Sequence, residues 1–475
     1  MPAVLALAAV LALWIDLSPI HRFHNSDSLI PVLMSLDRWA PFYWEQNRFG
    51  MLLPLVALPF QDPFINLLAQ VALRLLALVL SFFLLARTVV SRPWWPAVGA
   101  LTFGLFVLGK DLPQQGFLQM QPYFQAMALA LAGALLLAGG GTRKKVAGAA
   151  LLGLAFWVAP VALFWLVPLL GLRWLLRLGP PPVLPAGLAG LAFFGSLLAS
   201  RLSDYHRATN LGLAPPADWP RAWLALAEKG AAFLGPGMLI GLGLLLLAAL
   251  GRKLFTPLPL AGEGTGVRAA LCLLGTAAAE LLILGTSGWV HENAFRVRFL
   301  STALLMAATA GPALLLGLLL EGRPARWGRV ANVLTIAALL PLALWRFGLP
   351  SPAAARAALA AGPGAGEARE IVAGGCTHVL GDYWRIWPAA YQARVLLRER
   401  GEERKVWGIG FRSTPTWDLW RQRDWRRARI AAEGSPRRIE TVRVFYRIPP
   451  FGAPRGPARC AAPPVVSFRG FRGSP

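Results

Sequence analysis

Apolar residues in this chain fall in long, almost uncharged runs, separated by short basic loops. The runs read as membrane helices over about residues 2–18, 64–87, 93–109, 118–138, 145–159, 161–178, 183–201, 236–253, 269–290, 299–320 and 329–347. Most reach the roughly eighteen to twenty residues that cross about 30 Å of hydrocarbon. The stretch AGAALLGLAFWVAPVALFWLVPLLGL reads either as two short helices meeting at Pro160 or as one kinked helix, so the count is ten or eleven crossings. The first run lacks a positive leading segment, and Arg22 follows it, so it is read as a retained helix rather than a cleaved signal.

The pattern changes after residue 348. Residues 349–368, including PSPAAARAALAAGPGAGEA, read as a linker. Beyond it THVLGDYW, KVWGIGF, TVRVFYRI and PVVSF alternate as short strands, with PAAYQARVLLRERGE a helix between the first two. The fold class is therefore an all-α polytopic membrane bundle over 1–348 with a small α/β domain over 369–475.

Charge orients the bundle. With the N-terminus inside, each inside loop is basic: Arg87 and Arg92, then Arg143 to Lys145, Arg173 and Arg177, Arg252 and Lys253, and Arg323, Arg326 and Arg329. The outside loops are 19–63, 110–117, 202–235 and 291–298, and eleven crossings put the C-terminal domain outside as well. A net charge of +24 on a soluble protein would suggest nucleic acid. Here the chain is 56% hydrophobic and only 15% charged, with no zinc-finger spacing, RNP-like motif or Walker loop, so nucleic acid is not an expected partner. Of three cysteines, Cys272 sits in an apolar run as a small core residue. Cys376 and Cys460 bracket the C-terminal domain and are expected to pair in an oxidising compartment.

The chemistry concentrates in the outside loops. In HRFHNSDSLIPVLMSLDRWAPFYWEQNRFGMLLP, the segment LIPVLMSLDRWAPFYW is expected to be an amphipathic helix in the membrane interface. Asp27 stands just beyond the first run, where a carboxylate needs a partner or a role. The plainer reading is that Ser26 or Asp27 caps the helix beginning near Leu29. Arg48 either clamps a phosphate or snorkels to headgroups. HENAFRVRFL brings His291, Glu292, Arg296 and Arg298 together at a membrane edge, as an anionic lipid-linked substrate requires; an ion pair of Glu292 with an arginine is the plainer account. KDLPQQGFLQMQPYF adds Asp111, Gln119, Gln121 and Tyr123, polar residues entering a span and so facing the bundle.

These segments, in this order, resemble the GT-C class of membrane glycosyltransferases, which includes protein O-mannosyltransferases and aminoarabinose transferases. NSDS with Asp27 matches the acidic position after the first span of that class. GLAFWVAPVALFWLVPLL is similar to its Gly-rich helix with a break, and VRFLSTALL with Arg298 resembles its Arg-aromatic-Leu element. The resemblance covers about residues 1–348. It departs in the first loop, where NSDS offers one carboxylate in place of the Asp-Glu pair of mannosyltransferases, which leaves a divalent metal open. The resemblance implies a transferase of the cytoplasmic membrane that moves a sugar from a polyprenyl-phosphate donor to an extracytoplasmic cell-envelope acceptor. Asp27 is then the general base, while Arg298 and Arg48 stabilise the leaving phosphate. The alternatives are a transporter or flippase of a lipid-linked or anionic substrate, and a non-catalytic envelope-binding membrane protein. Few charges sit inside the runs, Glu280 and Arg74 being the main ones.

Overall fold

The computed structural model describes residues 1–37, 39–43, 50–108, 122–201, 212–255, 264–292, 294–295, 297–411 and 445–447. The described residues divide into two compact units. One draws on Met1–Ser18, Asn47–Gly50 and Val71–Pro350, the other on Pro19–Gln46, Met51–Gln70 and Ser351–Pro475.

The first unit is helical, and among the described residues each apolar run coincides with a helix. Hydrocarbon accepts only backbone that satisfies its own hydrogen bonds, which is why these sequences coil. Among the described residues, five helices are long and apolar enough to cross a membrane: Pro63–Val89, Val183–Ser200, Thr265–Thr286, Arg298–Leu320 and Ala325–Phe347. Two bent pairs, each counted as one broken span, bring the number to at most seven: Thr142–Val158 with Pro160–Leu175, bent by 118°, and Pro216–Leu234 with Pro236–Ala248, bent by 95°. Shorter apolar helices include Pro2–Asp16, Trp95–Phe106 and Tyr123–Ala138. These features are those of a multi-pass membrane protein.

The bend at Pro160 settles the ambiguous stretch in favour of two helices. Ala159, pushed out of helical geometry before the proline, is extended at φ −154°, ψ 100°. Within the segment 202–235, expected to be a loop, Trp219–Leu234 is an amphipathic helix. Small residues set the closest helix pairs: a Cβ on Gly266 would stand 2.6 Å from Gly317 Cα, and one on Gly133 2.8 Å from the Gly148 carbonyl. Helix Ala325–Phe347 is pinned by Asn332, which accepts from Ala97 N–H at 2.9 Å and donates to the Pro93 carbonyl at 2.9 Å.

The second unit joins segments from the early part of the chain to the C-terminal segment. Strands β1 (His378–Asp382), β2 (Trp407–Phe411) and β3 (Phe445–Arg447) form a parallel sheet in the order β2-β1-β3. The helix Tyr383–Glu399 connects β1 to β2, completing the expected strand-helix-strand unit. The expected strand PVVSF lies outside the described residues. Gly408 in β2 has a steric reason, since a Cβ there would stand 2.7 Å from the Trp387 indole.

Two expectations are corrected here. The linker 349–368 is instead the helices Pro352–Ala360 and Ala365–Ala373. Ser351 caps the first by accepting from Ala354 N–H, Pro352 opens it, and Gly364 turns between the two at φ +83°. Buried Ala355, Leu359, Ile371 and Val372 give them a packed face that a linker lacks. Second, the expected helix in LIPVLMSLDRWAPFYW begins earlier and ends sooner than that segment. The helix is Ser26–Leu36, and Leu29, Ile30, Val32, Leu33 and Met34 are buried on several sides, with the helix Tyr383–Glu399 packed against it.

Further bonds knit the second unit. Asn66 Nδ2 donates to Ser35 Oγ at 2.8 Å and to the Phe60 carbonyl at 2.7 Å. Tyr391 Oη donates to the Pro63 carbonyl at 2.9 Å, and Gln392 Nε2 to the Leu359 carbonyl at 2.5 Å. Cys376 is disulfide-bonded, whereas Cys272 is free and buried. The expected partner of Cys376, Cys460, lies outside the described residues.

Candidate functional site around Asp27

Asp27 is the second residue of the helix Ser26–Leu36. The cap is Asn25 rather than Ser26 or Asp27: its side chain accepts from Asp27 N–H at 2.9 Å, and Ser28 Oγ accepts from Asn25 N–H at 3.1 Å. The Asp27 carboxylate accepts instead from Tyr383 Oη at 2.8 Å. Tyr43 Oη lies 2.8 Å from Tyr383 Oη, and Ser26 Oγ donates to the Tyr383 carbonyl at 2.5 Å. Tyr43 and Tyr383 are buried, at 5% and 1% exposure, while Asp27 is half-buried. All four residues belong to the second unit.

Behind this group runs a second polar string that sequence reasoning did not single out. His21 Nδ1 lies 2.9 Å from His24 Nε2, and His24 Nδ1 lies 3.0 Å from Ser28 Oγ. Both rings are buried. The signal was the spacing in HRFHNSDS, where His24 follows His21 by three positions and Ser28 follows His24 by four. Farther along the same helix, buried Asp37 meets Arg394 Nη1 at 2.5 Å and Lys405 Nζ at 3.5 Å. Arg394 Nε also donates to the Val406 carbonyl at 3.1 Å, and its guanidinium lies 5.0 Å from the Trp407 ring centroid.

The other expected residues belong to the first unit or lie outside the described residues. Tyr123 is buried at the start of the helix Tyr123–Ala138. His291 Nε2 meets the Gly285 carbonyl at 2.8 Å and its ring packs on Phe295, centroids 4.9 Å apart. Ala294 and Phe295 hold left-handed φ values of 53° and 52°, a strained pair for residues with a Cβ. Lys229 Nζ braces it by donating to the Ala294 carbonyl at 2.5 Å. Arg298 is half-buried with its guanidinium 5.1 Å from the Phe299 ring centroid. Glu292 ends the short helix Gly288–Glu292. Arg48, Asp111, Gln119, Gln121 and Arg296 lie outside the described residues. Glu280 is buried in the helix Thr265–Thr286 and accepts from Thr302 Oγ1.

Among the described residues no group of three or more His, Cys, Asp or Glu side chains is placed to hold a metal ion. No protein-family model, curated protein or solved structure matches the chain.

Proposed function

We propose that this chain is a membrane glycosyltransferase that moves a sugar from a polyprenyl-phosphate donor to a cell-envelope acceptor. In this reading ten or eleven of the apolar runs cross the cytoplasmic membrane, and the C-terminal domain is extracytoplasmic. Asp27 takes the proton of an acceptor hydroxyl as that oxygen bonds to the sugar's anomeric carbon. The bond from that carbon to the phosphate oxygen breaks through an oxocarbenium-like transition state. Polyprenyl phosphate departs with the negative charge, which cationic side chains would stabilise.

The observation that carries the reading is the setting of Asp27. Asn25 already caps the helix, so the carboxylate is not needed there, and it is oriented by a phenol 2.8 Å away. A fixed, half-buried carboxylate is what a general base requires.

One observation favours transport as a second reading: Glu280 is a carboxylate buried in a helix long and apolar enough to cross the membrane. Mass spectrometry of envelope glycans and lipid-linked sugars separates the two. A transferase predicts that both deletion of the gene and Asp27→Asn remove one sugar from the product and leave the donor lipid in excess. A transporter predicts loss with Glu280→Gln while Asp27→Asn is silent. Unchanged glycans in the deletion strain overturn the transferase.

A further inference from the structure

We propose that the C-terminal segment completes the catalytic site, with Tyr383 as the positioning residue for Asp27; this rests on the transferase reading above. Ser26 and Asp27 are both tied to Tyr383, one through its backbone carbonyl and the other through its hydroxyl. A phenol has a single proton. Tyr383 spends it on Asp27, so the proton across the 2.8 Å contact comes from Tyr43, whose longer contact to the Ser26 carbonyl, at 3.5 Å, competes only weakly. A donor behind a donor polarises it and strengthens the bond to the carboxylate. The carboxylate is thereby turned one way by a residue that is itself 1% exposed and locked.

Two further features point the same way. Tyr383 follows the last residue of β1, the central strand of a parallel sheet in the order β2-β1-β3. The chain leaves β1 toward β2 on one side and returns as β3 on the other, and in open parallel sheets the carboxyl end of such a strand is where ligands bind. The neighbouring Trp384, 39% exposed, meets the Tyr383 ring edge-on with centroids 5.0 Å apart. The helix carrying Asp27 is also held at its far end by the same partner helix, through Asp37 and Arg394. Residues 26 and 383 pair at one end and 37 and 394 at the other, so the two helices run side by side in register. Their pairing fixes where the carboxylate sits.

The experiment uses the full chain expressed in the deletion strain, with the sugar transfer identified by mass spectrometry as the assay. Tyr383→Phe keeps the ring and removes only the hydroxyl. If Tyr383 positions the base, kcat falls on the order of ten- to a hundredfold, as a misplaced catalytic group does. The donor KM then stays within about twofold, since ground-state binding is untouched. Tyr391→Phe is the control, because it removes another buried phenol of the same unit, one whose hydroxyl donates to the Pro63 carbonyl rather than to Asp27. It should lower thermal stability and leave kcat in place. If Tyr383→Phe does not fold, Tyr43→Phe removes the donor behind it and should lower kcat by about threefold. A folded Tyr383→Phe with undiminished kcat, or a Tyr391→Phe that loses kcat equally, overturns the proposal while the transferase stands. Envelope glycans that are identical with and without the gene overturn both.

Discussion

Arg394 Nη1 lies 2.5 Å from the Asp37 carboxylate, and the two side chains are only 7% and 1% exposed. Two buried charges tolerate each other's presence better than either's absence. Arg394→Met should leave Asp37 with Lys405 alone, at 3.5 Å. The expected loss is about 3–5 kcal/mol, the usual cost of stripping one partner from a buried pair. Arg394→Met combined with Asp37→Asn should cost less than the two changes summed, measured by thermal unfolding in detergent; strict additivity would refute the coupling.

Tyr391 gives the second unit an alkaline limit. Burial pushes its phenol well above the usual value, the Asp62 carboxylate adds to the rise, and Arg356 opposes it. The folded value exceeds the unfolded one, so its contribution is complete below about pH 10 and is lost as pH rises through the folded value. Melting temperature should therefore fall above about pH 10 in the native chain and fall less steeply in Tyr391→Phe. Parallel curves for the two proteins would contradict this assignment.

Close helix approach in the first unit is testable by adding carbon. Gly266→Val places a side chain where a Cβ already stands 2.6 Å from Gly317 Cα and 2.8 Å from the Ala313 carbonyl. Overpacking of this kind costs about 1–3 kcal/mol. Gly153→Val is the comparison, since nothing lies within 4 Å of a Cβ there. The first change should lower the melting temperature clearly and the second hardly at all.

The cysteines give a chemical check. Cys272 is free and Cys376 is disulfide-bonded. Alkylation of the unreduced, denatured protein should modify one cysteine, and reduction should expose the other two. Cys376→Ser should destabilise the second unit by about 2–5 kcal/mol. Three reactive thiols before reduction would refute the bridge.

What the sequence disclosed follows from how local each determinant is. Long apolar runs announce helices because hydrocarbon leaves the backbone no other choice. Their lengths are less decisive: Pro2–Asp16 and Tyr123–Ala138 are apolar helices, yet are shorter than the five that are long and apolar enough to cross. β1 and β2 were legible in THVLGDYW and KVWGIGF. The helices of 352–373 were not, because alanine, glycine and proline suit linkers and helices alike. The signal there was Ser351 followed by Pro352, a start signal outweighed by composition. Asp27 stood out as a carboxylate beside an apolar run. Its partner did not, because Tyr383 is 356 residues away and no periodicity connects them. Asp37 and Arg394 were hidden for the same reason: each alone resembles an ordinary surface charge.

The second unit is assembled from both ends of the chain, and that has a consequence for biosynthesis. Residues 19–46 and 51–70 leave the ribosome hundreds of residues before 351–411, which supply their partners. Such sequence-distant contacts form late, after the intervening chain has been made. Until then the helix Ser26–Leu36 has no Tyr383–Glu399 helix to cover its apolar residues. Nascent chains should thus pass through a stage in which this surface is sticky and attractive to chaperones. A stop codon just after residue 350 should yield a degraded protein rather than a shortened one, even with every membrane helix present.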